Sequence, residues 1–182
     1  MIKLGVMADS HRKTENIRKA LKSMDDCKYI IHLGDHDSDM LEFGLREDRL
    51  LTVPGNCDPD SYAPYLRIFK AEDIEVLMTH GNAFHVKINP YALMLKAREK
   101  NCALALYGHT HVQNAQEAEG VTLLNPGALW NGDYAIVTVD GSKINWEFKK
   151  YNGENYDKSD SAGLRRRAHA SPAGALAPAR RL

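Results

Sequence analysis

Five short apolar runs in this chain each stop on a Gly, Asp, Asn or His. Residues 2–7 lead to Asp9-Ser10-His11, and residues 29–33 lead to Gly34-Asp35. Residues 50–53 lead through Pro54 to Gly55-Asn56-Cys57-Asp58. Residues 74–78 lead to Thr79-His80-Gly81, and residues 103–107 lead to Gly108-His109-Thr110-His111. Runs of this length and apolarity read as strands buried on both faces. Strands that finish on one rim of a sheet bring their following loops together. Those loops then gather two to three Asp, four His and an Asn into a small volume. Such a set loses hydration and repels itself unless cations fill it.

The connecting segments fit this picture. After the first run, Thr14 can cap a helix carrying Ile17, Ala20, Leu21 and Met24 at helical spacing. A short helix over 39–45 follows the second run and is stopped near Gly44. Strand, helix, strand in this rhythm predicts a parallel start to the sheet. Residues 66–70 and 74–78 flank Ala71-Glu72-Asp73 and read as a hairpin. Pro90 can open a helix running to about Lys100, with Ala92, Leu93, Leu95 and Ala97 inward. Residues 121–124, 134–139 and 143–148 read as further strands. The fold class expected is α/β: two β-sheets packed face to face as a sandwich, flanked by helices.

Residues 1–156 are expected to form one domain, which suits a chain of 182 residues. Beyond that the composition shifts to Ala, Arg, Pro and Ser without aromatics. Residues 157–182 therefore read as a solvated tail or an appended stretch foreign to the domain. Lys plus Arg and Asp plus Glu balance at 24 each, so charge gives no support to a nucleic-acid partner. No run approaches the roughly 20 apolar residues of a membrane span, and the first run meets Asp9 too soon for a secretion signal. Three widely spaced cysteines argue against a disulfide framework. Together these features predict a cytoplasmic protein.

Asp9 and His11 lie two apart, as do His109 and His111, so each pair can turn toward one cation. Asp35 can bridge two ions, Asn56 offers a carbonyl oxygen and His80 an imidazole nitrogen. Seven such ligands are too many for one structural zinc, which takes four. They suit two metals roughly 3.5–4 Å apart, which activate a bridging hydroxide and neutralise phosphoryl oxygens during in-line attack. A phosphate ester is the substrate that uses this arrangement best.

The ordered set Asp9-x-His11, Gly34-Asp35, Gly55-Asn56, Thr79-His80-Gly81 and Gly108-His109-Thr110-His111, closed by Asn125-Pro126-Gly127, resembles the calcineurin-like metallophosphoesterases. Within them it is most similar to the small single-domain bacterial and archaeal phosphodiesterases, over about residues 1–150. The resemblance implies a phosphodiesterase with one metal on Asp9, His11, Asp35 and His111, and a second on Asp35, Asn56, His80 and His109. It implies two divalent cations: manganese first, with iron, zinc, nickel or magnesium as alternatives. It implies a small-molecule phosphate ester as partner and leaves a homodimer open. A phosphomonoesterase or nucleotide hydrolase is the alternative enzyme. A metal-free interaction scaffold of the same fold is the alternative from another class, and it predicts lost ligands.

Two departures from the family pattern stand out. Cys57 follows Asn56 where many relatives place a histidine near the leaving group, which favours substrates with good leaving groups. Asn82 stands where a second histidine is usual, and His85 is the residue placed to compensate. Asp58 is expected to tie down the Asn56 loop, and His36 to lie near the phosphate. His32, inside a strand, reads as a core histidine with one hydrogen bond.

Overall fold

The apolar runs are continuous rather than alternating because the sheets they form are covered on both sides. A computed structural model describes residues 1–151, and the tail expected from 157 lies outside the described residues. One sheet is ordered β10 (Lys143–Lys150), β9 (Asp133–Asp140), β1 (Ile2–Met7), β2 (Tyr29–His32), β3 (Leu50–Thr52). The other is ordered β4 (Leu66–Ala71), β5 (Ile74–Thr79), β6 (Cys102–Leu106), β8 (Val121–Pro126), β7 (Gln113–Ala118). β1, β2 and β3 pair in parallel, as do β5, β6 and β8, and antiparallel strands close the remaining positions.

Alternate residues of each strand serve different cores. Leu4, Val6, Ile31, Leu33, Val76, Met78, Leu104 and Leu106 face the space between the sheets. Met7 and Ile30 face outward and pack with Ile17, Ala20 and Met24 around helix α1 (Thr14–Leu21). Leu77 and Ala105 face the other outside and meet Leu93, Met94 and Ala97 of helix α2 (Tyr91–Glu99). The result is helix, sheet, sheet, helix, the sandwich expected from the runs.

Several local expectations need correction. Lys13, not Thr14, holds the N-cap position of α1, without a side-chain cap bond. The chain reaches the helix through a turn closed by the Lys13 N–H on the Ser10 carbonyl, so Thr14 is already helical. The short helix is a 3-10 segment over Asp37–Phe43, starting directly after His36 in the left-handed region. In α2 the buried residues are Leu93, Met94 and Ala97; Leu95 and Ala92 face outward. β7 was not expected, because Gln-Asn-Ala-Gln-Glu-Ala carries no apolar run.

Parallel pairing has one consequence for the site. The carboxyl ends of β1, β2, β3, β5 and β6 leave their sheets on the same rim. The loops then bond to one another: Asp9 N–H to Gly34 O (2.9 Å), and Gly108 N–H to His80 O (3.0 Å).

Candidate metal centre

Close approach of these loops depends on glycine. A Cβ on Gly55 would lie 2.2 Å from Asp35 Oδ1, and one on Gly108 would lie 2.8 Å from Ala8 Cβ. Backbone strain concentrates at the same rim. Asp9, His11, Asp35, His109 and His111 all have positive φ, between 45° and 67°. Left-handed backbone in non-glycine residues costs energy and persists where the surroundings impose it, often at functional sites.

All seven predicted ligands meet. Ligand atoms of Asp9, His11, Asp35 and His111 lie within 4.8 Å of one another, and so do those of Asp35, His80 and His109. His111 Nε2 is 3.1 Å from Asp9 Oδ1, His80 Nε2 is 3.5 Å from Asp35 Oδ1, and His11 Nε2 is 3.7 Å from Asp35 Oδ2. Asn56 Oδ1 completes the second group, 3.2 Å from His80 Nε2.

The hydrogen bonds decide which way the lone pairs point. His80 Nδ1 lies 2.7 Å from the Leu33 carbonyl, which can only accept, so Nδ1 carries the proton. In the neutral ring Nε2 is then an acceptor. It faces Asn56 Oδ1, His109 Nδ1 (3.1 Å) and Asp35 Oδ1. Two oxygens, one of which also takes the Cys57 N–H, and the His109 ring nitrogen thus converge on the His80 lone pair. Asp9 Oδ1 and His11 Nε2 are buried without a hydrogen-bond partner among the described residues. A cation in each group would satisfy these atoms, and the oxygen-and-imidazole donor set suits divalent ions of borderline or hard character.

Electrostatics agree. Burial, reinforced by the charge of Asp35, pushes the Asp9 carboxyl up to about 8. Burial works the same way on Asp35, but His80, the Cys57 N–H (2.9 Å) and His11 outweigh it and hold that carboxyl low. Desolvation lowers His109 to about 4 and also lowers His80 and His111. These rings are neutral near pH 7, the form that ligates metal.

The supporting residues sort clearly. Asp58 accepts from the N–H groups of His36 (2.8 Å), Asp37 (3.3 Å) and Gly55 (2.8 Å), binding the Asp35 and Asn56 loops together. Asn125 donates to Gly108 O (2.7 Å) and accepts from Gly127 N–H, fixing the loop that bears both terminal histidines. Cys57 is exposed, and burial and the charge of Asp35 raise its thiol, so it stays protonated. His36 sets its ring 5.5 Å from that of His11. His85 is exposed in a surface hollow with Phe84 and Ile88, and makes no hydrogen bond to the seven ligands.

Sequence reasoning missed two contributions. His32 is fully buried and makes two bonds, not one: it accepts from Gly34 N–H (3.3 Å) and meets Ser10 Oγ at 3.1 Å. Ser10 passes the chain to Asp39 (2.7 Å), which also accepts the Arg12 N–H and so anchors the His11 loop. Period-two strand pattern marks His32 as inward but says nothing of its partners. Lys87 is the second: its charge opposes protonation of Asp9, His80, His109 and His111 alike. It lies seven residues beyond His80 on an irregular loop, where no periodicity reports direction.

A fold of two helix-flanked sheets with this ligand set on one rim defines a metal-dependent phosphoesterase class, and the chain belongs to the calcineurin-like phosphoesterase superfamily, whose domain model matches residues 2–142. Among its relatives is the "Probable metallophosphoesterase" MG207 of Mycoplasma genitalium, 30% identical over 132 residues, 71% of this chain and 78% of the relative. Phosphodiesterase MJ0936 of Methanocaldococcus jannaschii is 27% identical over 144 residues, 69% of this chain and 83% of the relative. A crystal structure from Streptococcus pneumoniae, described as a predicted phosphoesterase, superposes with a TM-score of 0.70 at 25% identity, covering 82% of this chain and 89% of the other. Among the described residues, no helix is long and apolar enough to cross a membrane.

Proposed function

We propose that the protein is a two-metal phosphodiesterase acting on small phosphate esters. The observation that carries this reading is the convergence of potential ligand atoms from seven residues on both sides of Asp35, with Asp9 Oδ1 and His11 Nε2 buried and lacking a hydrogen-bond partner among the described residues. Asp9, His11, Asp35 and His111 would hold one ion, and Asp35, Asn56, His80 and His109 the other. Manganese is the first choice that the family resemblance implies, with iron, zinc, nickel or magnesium as alternatives; a set of imidazole, carboxylate and amide without thiolate is compatible with each. Divalent ions, when bound there, supply positive charge for the phosphoryl oxygens and acidify water near neutral pH.

The chain's own residues do the rest. The Leu33 carbonyl fixes the His80 tautomer and turns Nε2 inward. Asn125 and Asp58 hold the ligand-bearing loops at their spacing. Lys87 adds a positive field that draws an anionic ester toward the rim. The protonated Cys57 thiol is no nucleophile, which leaves water as the attacking group. A diester rather than a monoester is favoured by the relative that bears the name phosphodiesterase. Three free cysteines fit a reducing, cytoplasmic setting.

The test is chelation of the purified protein followed by assay of bis(p-nitrophenyl) phosphate with and without added Mn²⁺. Hydrolysis that disappears on chelation and returns with the metal is the expected result. No metal uptake and no hydrolysis at micromolar Mn²⁺ would leave the interaction scaffold as the better reading.

A further inference from the structure

Ser10 and His32 are completely buried, yet neither belongs to the two ligand groups. Both are polar, so each needs partners inside the protein. Those partners fix one direction of hydrogen bonding. The Gly34 N–H donates to His32 Nδ1 (3.3 Å), so that nitrogen is unprotonated and the neutral ring carries its proton on Nε2. His32 Nε2–H then donates to Ser10 Oγ (3.1 Å). The Ser10 hydroxyl has one proton to give, and its shortest acceptor is Asp39 Oδ2 at 2.7 Å, against 3.4 Å to the Asp35 and His36 carbonyls. The same carboxylate oxygen accepts the Arg12 N–H (2.8 Å).

This relay brackets one ligand group in the chain. Gly34 directly precedes Asp35, Ser10 lies between Asp9 and His11, and Arg12 directly follows His11. The backbone around Ser10 is strained: Asp9, His11 and Arg12 have φ of 54°, 45° and 64°. Such backbone persists only where the surroundings impose it. His11 depends on this most. The His80 ring is fixed by the Leu33 carbonyl, whereas His11 Nε2 is buried without a hydrogen-bond partner among the described residues. The aim of the His11 ring therefore follows from its backbone, and its backbone from the relay. The other group is held by different bonds. The Cys57 N–H steadies Asp35, Asp58 takes the Gly55 N–H, and Asn125 holds Gly108. None of these passes through Ser10, His32 or Asp39.

We infer that His32, Ser10 and Asp39 are positioning residues for one ion of the pair. Their directed relay sets the Asp9–His11 loop against Asp35, so the ion on Asp9, His11, Asp35 and His111 depends on it and the ion on Asp35, Asn56, His80 and His109 does not. The inference rests on the two-metal reading. Ser10→Ala cuts the middle of the relay and leaves the His32 Nε2–H, shut off from water, without an acceptor. Asp39→Ala removes the acceptor at its end. Asp39→Asn keeps a carbonyl oxygen that can take both the Ser10 hydroxyl and the Arg12 N–H.

The test is calorimetric binding of Mn²⁺ to the full chain, with electron paramagnetic resonance of the loaded protein as a second readout. The wild type is expected to take up two ions and to give the spectrum of an exchange-coupled pair. In Ser10→Ala and in Asp39→Ala one ion should weaken about ten- to a hundredfold, as on loss of a partner behind a metal ligand, and the other about threefold at most. At limiting Mn²⁺ the spectrum of these variants should be that of an isolated ion, and Asp39→Asn should restore the pair. Two backgrounds identify the ion. In His80→Ala, Ser10→Ala should weaken the remaining ion by the same factor, whereas in His11→Ala it should change the remaining ion little. Should Ser10→Ala fail to fold, Asp39→Ala against Asp39→Asn makes the same comparison. Two ions that weaken equally or not at all in these variants, or an Asp39→Asn that loses as much as Asp39→Ala, overturn the relay and leave the two-metal centre standing. A wild type that binds fewer than two ions defeats the two-metal reading, and the relay with it.

Discussion

Two buried ionisable residues give the site its pH behaviour. The Asp9 carboxyl, raised to about 8 in the metal-free protein, must lose a proton before it ligates. Below pH 8 the apparent metal affinity should then fall about tenfold for each step of one in pH, since one proton competes with the ion. Calorimetry in buffers of different ionisation enthalpy should show about one proton released per chain at pH 7, on filling of the site that contains Asp9. His32 behaves differently because burial lowers its imidazole to about 4. The unfolded chain takes up that proton below about 6.5 and the native chain does not, so stability present above 6.5 is lost as pH falls toward 4. The loss attributable to His32 is about 3 kcal/mol, because each tenfold difference in proton affinity between the folded and unfolded chain is worth roughly 1.4 kcal/mol. Denaturant unfolding of the chelated protein at several pH values should show it. A His32→Gln variant should have a shallower acid slope.

At the scale of elements, most of the architecture is legible because burial on both faces writes apolar runs into the sequence. The five site-forming strands and the β4–β5 hairpin are marked this way. The turn at Glu72-Asp73 links Ala71 to its register partner Ile74. What stays hidden has a physical cause. β7 is an edge strand in which Asn114, Gln116 and Glu117 face water, so no apolar run marks it and pairing with β8 defines it. The orientation of α2 follows from how Leu93, Met94 and Ala97 fit the outer face of β6, and an apolar Leu95 on the far side obscures that in sequence. Substituting Leu106→Ala, wholly buried between the sheets, should cost about 2–5 kcal/mol in denaturant unfolding. Gln113 is an unexpected tie: its amide donates to Tyr134 O (3.3 Å) and Lys149 O (2.8 Å), joining β7 to the opposite sheet. Gln113→Ala should cost about 1–2 kcal/mol by removing both bonds between the sheets. A loss below about 0.5 kcal/mol would show that water replaces it.

For the whole molecule, the sandwich matters because it aligns the exits of two separate sheets. His80 comes from one sheet, yet its tautomer is set by Leu33 of the other. Asp9 likewise accepts the His109 N–H across the sheets, at 3.1 Å. The ligand identities could be read from residue type at strand ends. Their mutual distances could not, because these depend on inter-sheet packing. Lys87 belongs to the same category: it takes its meaning from chain path rather than spacing. The most direct test of the site as a whole is metal content by mass spectrometry of Mn²⁺-dialysed protein, paired with diester hydrolysis, for wild type and Asp35→Asn. Two equivalents per chain in the wild type, with loss of at least one equivalent and about a thousandfold in kcat in Asp35→Asn, is the expected result. A wild type that binds fewer than two ions, or an Asp35→Asn variant that keeps both ions and full activity, would contradict a shared two-metal centre.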